Sequence, residues 1–491
     1  MRLRPPPPKP APVQILARKL EQLLAQPEFD SVPVAICQHC QAVPLGVLVR
    51  GTLEWLLDEQ MLTQLFLDNA PDQYERELTF AVMVKLLIQV AAGTRKSVFA
   101  AFTKDQELDS PSITTTYQAL YGKMGRLNPA VSEAFVRHSA DKLGLLLHDM
   151  PPAMDEPIPG YRMRVLDGNV LTGTDHRLKP LRRWLNACLP GKSLVVYEPR
   201  LGLVTDLVLC ADAYTQERAL VGNLLPRVCA NDLWVADRNF CTTRFVFGVL
   251  EQQGFVVIRQ HRRNLPCQPL GRARKCGETS TGVLYEQRVQ VTDPTTGATR
   301  TLRRVELRLF EKTRDGDRTL AVLTNLPETI SALQIAEVYR QRWTIEKHFQ
   351  FITESLHCEI PGLGKPRAAL LMFALALVAG NALAVVRGSL RAAHGQQAAA
   401  EVSNYYLADE IAGDYRAVMK YLSPDQWLGW RDLSAPSMAQ LLTTIAAFVR
   451  LRGLTRNQRG PKKPPVVKPV YDKKHKHYST ARLLEEAEDS C

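Results

Sequence analysis

The chain of 491 residues carries 62 Lys and Arg against 50 Asp and Glu, a formal net charge of +12. Hydrophobic residues at 45% and charged residues at 23% are globular proportions, and they exclude a collagen-like, wholly disordered or small disulfide-stapled chain. At roughly 150 residues per domain the length predicts three domains, and the positive surplus points to a polyanionic partner.

The first 13 residues, with Pro5 to Pro8, read as an extended Pro-rich arm. No apolar segment follows the N-terminus as a signal peptide would require, and ten scattered cysteines suit a reducing compartment. Both features predict a cytoplasmic protein. Cys37-Gln-His-Cys40 lacks a second ligand pair at zinc-finger spacing.

Residues 14–155 read as a helical region. Leu16, Leu20, Leu23 and Leu24 have helical spacing, and Phe80 to Ala92 suits a buried helix. Ser110-Pro111 opens a further helix through Leu120, with Lys123 and Arg126 beyond it and Arg95 and Lys96 before it. A helix-turn-helix-like contact to DNA and a solvated helix end both fit this pattern.

Pro151-Pro152 and Pro157-Ile-Pro159 mark a break. After it, Met163 to Leu166 predicts a strand ending in Asp167-Gly168. Ser193 to Tyr197, Leu203 to Cys210, Leu233 to Ala236 and Phe255 to Ile258 read as further strands, with helices over Glu217 to Arg227 and Thr243 to Gln253. This alternation predicts an α/β sheet domain. Residues 260–318 depart from it, with Val305, Leu307 and Leu309 alternating with charged residues and Asp315-Gly316 signalling a hairpin turn. Leu320 to Leu323 resumes the sheet, a long helix runs from Ser331 to Leu356, and residues 388–450 read as helical. Ala368 to Val386 is apolar enough to span a bilayer, but its seven alanines and lack of a companion span favour a buried core helix and no membrane partner.

Asp167 and Asp237 both follow apolar strands, where sites gather in open α/β sheets. A third carboxylate from a helix would complete an oxygen-rich pocket for a hard divalent ion. On the long helix, Tyr339, Arg342 and Glu346 share one face, with Trp343 at its edge, given about 100° per residue. Glu ligates a divalent ion, Arg clamps a phosphate and Trp stacks on a base. A solvated helix face with an Arg342–Glu346 pair explains the helix alone equally well.

Asp167-Gly168-Asn169, Ala236-Asp237-Arg238-Asn239-Phe240 and Tyr339-x2-Arg342-x3-Glu346 together resemble the DDE transposases of bacterial insertion sequences. More closely they resemble the insertion sequence four family, with its Tyr-Arg-Glu-Lys signature. Thr174 to Leu178 and Pro190 to Val196 are similar to family sequence too, so the resemblance spans about residues 75–390. It implies an α/β fold with an RNase H-like catalytic core at 156–259 and 319–387. A β-rich insertion would interrupt the core at 260–318, between helical N-terminal DNA-binding (14–155) and C-terminal (388–450) regions. It further implies that Asp167, Asp237 and Glu346 are catalytic and hold two Mg²⁺ ions, with Mn²⁺ as a substitute. The implied activity is cut-and-paste transposition through a hairpin at the transposon end. The signature's Lys would fall at Thr353, and the nearest cation, Lys347, lies off the face centre. That departure sustains a second reading, an inactive copy that binds DNA ends as a repressor.

The basic residues supply contacts to double-stranded DNA, both transposon ends and target. Tyr339, Arg342 and Trp343 would act near the scissile phosphate. Arg262, Arg263, Arg272, Arg274 and Lys275 cluster without an acid between Arg259 and Cys276. Residues 451–480 hold nine Lys or Arg, including Lys462, Lys463, Lys473 and Lys474, against the single acid Asp472. Such segments bind phosphates without reading sequence. The resemblance further implies a homodimer in the synaptic complex, working on the bacterial nucleoid.

Overall fold

The computed structural model describes residues 13–455 except 109, 153, 184, 314, 315, 357 and 361, together with the side chain of Cys37. The expected arm over residues 1–12 and the basic residues from Arg456 onward, Lys462, Lys463, Lys473 and Lys474 among them, lie outside the described residues.

The N-terminal part is helical: α1 (Val13–Leu24), α2 (Ile36–Ala42), α3 (Pro44–Leu56), α4 (Glu59–Asn69), α5 (Phe80–Ala91), α6 (Val98–Gln106), α7 (Tyr117–Met124) and α8 (Pro129–His148). Side-chain caps set several starts, as where Thr79 accepts from the Val82 amide at the head of α5. The helix expected from Ser110 begins instead at Tyr117, capped by Thr116. The Asp105 carboxylate takes the amides of Ser112 and Ile113 at 3.1 and 2.9 Å, which holds that segment out of the helix.

The strands are β1 (Arg162–Val170), β2 (Lys192–Glu198), β3 (Leu203–Cys210), β4 (Asp232–Ala236), β5 (Phe255–Arg259), β6 (Cys267–Pro269), β7 (Arg274–Thr279), β8 (Gly282–Thr292), β9 (Thr299–Leu309) and β10 (Thr319–Thr324). They form one mixed sheet in the order β3-β2-β1-β4-β5-β10-β9-β8-β6, with β7 also paired to β8. The β1–β4 and β4–β5 pairs are parallel, and the rest are antiparallel. Residues 260–318 supply four of these strands, and β9 pairs directly with β10, so they extend the same sheet. The expected helix over 217–227 is one short turn, α9 (Glu217–Leu220), followed by 3₁₀ turns around Gly222 and Pro226. Neither residue sustains an α-helix. Helix α10 (Thr243–Glu251) then leads to β5.

The central strands bury both faces. Val165, Val195, Leu207, Val235 and Val257 belong to one apolar cluster, and Leu166, Leu194, Val208, Trp234 and Ile258 belong to another. This is the period-2 alternation of a sheet covered on two sides. The first cluster is shared with α8 and with α13 (Pro366–His394). The most apolar 18-residue window of α13 is wholly buried, so its bilayer-like composition serves the protein core. Beyond it lie α14 (Gln396–Ala400), α15 (Asn404–Tyr421) and α16 (Ala435–Ala446).

A polar residue near the middle of α13 is buried with the apolar ones. The fully buried Asn381 accepts from the Val204 amide at 2.8 Å, donates to the Val204 carbonyl at 3.0 Å, and donates to Ser139 Oγ of α8 at 2.9 Å. It thereby fixes the rotation of α13 against β3 and α8. Asn381→Leu removes three bonds and strands buried partners, so it should cost about 2–4 kcal/mol. Urea unfolding should show this as a lowered midpoint.

Candidate active site

The parallel register pairs Leu166 of β1 with Ala236 of β4. The next residues, Asp167 within β1 and Asp237 just past β4, therefore stand side by side where two strands about 4.8 Å apart cease to pair. The expectation that β1 ends before Asp167 needs correction. β1 continues to Val170 because β2 goes on pairing with it, Asp167 opposite Val195, while β4 stops at Ala236. Asp167 is thus held rigidly within a strand whose neighbour on one side has ended. Its Oδ1 accepts from the Gly168 amide at 2.9 Å. Asp237 caps the short turn Arg238–Phe240, its Oδ1 accepting from the Asn239 amide at 2.7 Å.

The single helix expected from Ser331 to Leu356 is two helices, α11 (Ala332–Arg340) and α12 (Trp343–Ser355). At the join the backbone tightens to three-residue bonds, from the Arg342 amide to the Tyr339 carbonyl and from the Thr344 amide to the Gln341 carbonyl. The Thr344 hydroxyl also takes the Gln341 carbonyl, at 2.7 Å. Such tightening accounts for a change in helix path. It sends α11 over β4 and β5, and α12 over β1, which carries Glu346 to the acids.

Arg342, at the join, bridges two of the three predicted carboxylates. Its Nη1 lies 3.1 Å from Asp167 Oδ2 and its Nη2 lies 2.5 Å from Glu346 Oε1. The Arg342–Glu346 pair of a solvated helix exists, but it is tied to the sheet. Tyr339 lies close by, and burial raises its phenol pKa against the opposing charge of Arg342. Trp343 is exposed, its ring 5.3 Å from the Arg342 guanidinium carbon. Thr353, at the signature's Lys position, is also exposed.

Burial pushes the Asp167 carboxyl up to about 6. The charges of Asp237 and Glu346 add to the rise, and Arg342 and the Gly168 amide oppose it. A fourth carboxylate, missed in the sequence, joins them. Glu217 of α9 lies over Gly168 so closely that a Cβ there would sit 2.2 Å from its carboxyl carbon. Burial raises the Glu217 pKa, and Lys192 counters it. The Asp-Gly pair is therefore a close-approach glycine beside an acid. No spacing signal links residue 168 to residue 217, because the contact is made by tertiary packing.

The donor set is all carboxylate oxygen, which suits a hard divalent ion. As the side chains stand, the Arg342 guanidinium is the cation between Asp167 and Glu346. Among the described residues no three His, Cys, Asp or Glu side chains are close enough to ligate one ion. Release by Arg342 would free one oxygen each of Asp167 and Glu346. The other predicted DNA contacts, Arg262, Arg263, Arg272, Arg274 and Lys275, are all exposed on the loop after β5 and on β7 with its approach. Lys275 pairs with Glu278 at 3.2 Å.

Residues 159–379 match the protein family described as "Transposase DDE domain". The segment that carries the site is similar to a transposase DDE domain. The matched DDE segment contains all three predicted acids and the whole sheet. The chain is also similar, at 11% identity over 78% of its length and 83% of the other chain, to a cryo-EM structure of the piggyBac transposase synaptic complex with hairpin DNA, with a TM-score of 0.38. No curated protein matches the chain.

Because Asp167 binds its proton more tightly in the folded chain than in the unfolded one, its ionisation weighs against the fold as pH rises from about 4 through about 6. Without divalent ions, Asp167→Asn should therefore be more stable than the wild type at pH 8 by about 1–3 kcal/mol. The gap should close as pH falls towards 4. Thermal unfolding across that range measures it.

Proposed function

We propose that this protein is a DNA transposase of the insertion sequence four type that cuts and pastes its element through a hairpin at the transposon end. The single observation carrying this reading is the convergence of Asp167, Asp237, Glu346 and Arg342 within the DDE segment. The strand order β3-β2-β1-β4-β5, with β1, β4 and β5 parallel, supports an RNase H-like core at 156–259 and 319–387. The four strands between β5 and β10 support reading 260–318 as its β-rich insertion.

In this reading Asp167, Asp237 and Glu346 hold two Mg²⁺ ions, Mn²⁺ substituting. When bound, the ions supply activation of the attacking water or DNA 3′-hydroxyl and stabilisation of the leaving oxygen. Arg342 pairs with the carboxylates before DNA arrives and turns to the scissile phosphate afterwards, exchanging one anionic partner for another. Tyr339 donates its phenolic hydrogen to the same phosphate, since burial keeps it protonated. Trp343, already exposed, stacks on an unpaired base. The helical region 14–155 and the basic residues Arg262, Arg263, Arg272, Arg274, Lys275, Lys462, Lys463, Lys473 and Lys474 hold end and target DNA. A homodimer then synapses two ends on the nucleoid of a bacterial cytoplasm, with region 388–450 between protomers.

Asp237→Asn should abolish Mg²⁺-dependent nicking of a duplex carrying the element's end while leaving its binding measurable by gel shift. Full cleavage by the variant would refute the assignment. A wild-type chain that binds ends without nicking would instead be the end-binding repressor. Replacing Arg262, Arg263, Arg272, Arg274 and Lys275 together by Ala should weaken binding to any duplex. The slope of log affinity against log salt should become shallower by about 0.9 for each phosphate that the variant no longer neutralises.

A further inference from the structure

A half-open cavity of about 300 Å³ lies between β2, α12, α13 and α15, behind the helix that carries Glu346. That volume is at the low end for small-ligand pockets. Tyr197 and His348 line it, their rings stacked at 4.6 Å between centroids, and Phe351 lies against His348. His348 is more than nine-tenths buried, and its Nε2 meets no hydrogen-bond partner among the described residues. An unmet buried polar atom of this kind is costly, and the ring that carries it forms part of the cavity wall.

The charge of the wall is one-sided. Arg200, Arg387 and Arg391 line the cavity, and no Asp or Glu is among the described residues that do. Arg200 is answered from behind by Glu156 at 2.9 Å. Arg387 donates to the Asn404 side chain and to the Val402 carbonyl, the latter at 3.5 Å. Arg391 differs. Among the described residues its Nη1 meets the thioether of Met154, at 3.2 Å, and its Nε is buried without a partner. Burial lowers its pKa with no neighbouring carboxylate among the described residues to oppose the shift. A half-buried guanidinium facing a cavity without a counter-ion favours an oxyanion, which it binds through two parallel bonds.

We infer that this cavity binds a small phosphate-bearing molecule of mononucleotide size, its phosphate on Arg391 and Arg387 and its flat ring against the Tyr197–His348–Phe351 wall. This site is separate from the carboxylate cluster and does not depend on the transposase reading. An occupant would touch α12 two residues beyond Glu346.

Isothermal titration calorimetry of the full chain with adenosine 5′-monophosphate and with inorganic phosphate tests the inference. Saturable binding of the nucleotide is expected, with inorganic phosphate competing more weakly. Arg391→Ala should weaken nucleotide binding at least tenfold. Ala400→Trp, at an exposed rim position, should block it without entering the core, and it remains informative if the first variant misfolds. Asp237→Asn should leave nucleotide affinity unchanged, which separates this site from the proposed catalytic one. Absence of nucleotide binding by the wild type, or undiminished binding by both Arg391→Ala and Ala400→Trp, would overturn the inference. So would an effect of Arg391→Ala on duplex DNA binding alone, since that assigns the cavity to a DNA phosphate.

Discussion

The in-phase parallel pairing of β1 with β4 is the constraint on which the site depends. A one-residue slip of β1 would send every side chain of the strand to the other face, putting Asp167 where Leu166 now packs and burying a carboxylate in an apolar cluster. Leu166 and Ala236 face one cluster while Val165 and Val235 face the other, so packing on both faces specifies the register. Two acids are held side by side by hydrophobic burial, and no interaction between the acids themselves contributes to it.

Charge repulsion works against that arrangement, and Arg342 offsets it. The guanidinium sits between Asp167 and Glu346 because the α11–α12 join turns the chain there. A continuous helix of the same residues would keep the Arg342–Glu346 pair, since both lie on one face, but it would not bend α12 across β1. The bend and the ion pairs therefore form one unit, with the backbone change delivering the cation to acids fixed on the sheet.

Much of this was legible in the sequence. Runs such as Val165-Leu166 and Trp234-Val235-Ala236 announce strands buried on two faces, and the acids following them announce a strand-end site. The family resemblance tied those acids to Glu346. The failures share a cause, which is that tertiary packing overrides local pattern. Asp167 remains in a strand because β2 outlasts β4. The segment after Ser110 stays extended because Asp105 holds its amides. The approach of Glu217 to Gly168, and an Arg391 that meets no carboxylate among the described residues, leave no local signature, since each arises from elements distant in sequence.

Asn381 has a further consequence. β3 ends the sheet, and such an edge ordinarily offers unpaired amides and carbonyls to any extended chain. Asn381 takes both the amide and the carbonyl of Val204, Asp206 takes the amide of Leu207, and Glu133 of α8 takes the amide of Leu209. Three side chains thus occupy edge groups that a further strand would take, so in the folded chain these positions of the sheet's margin are closed to strand addition.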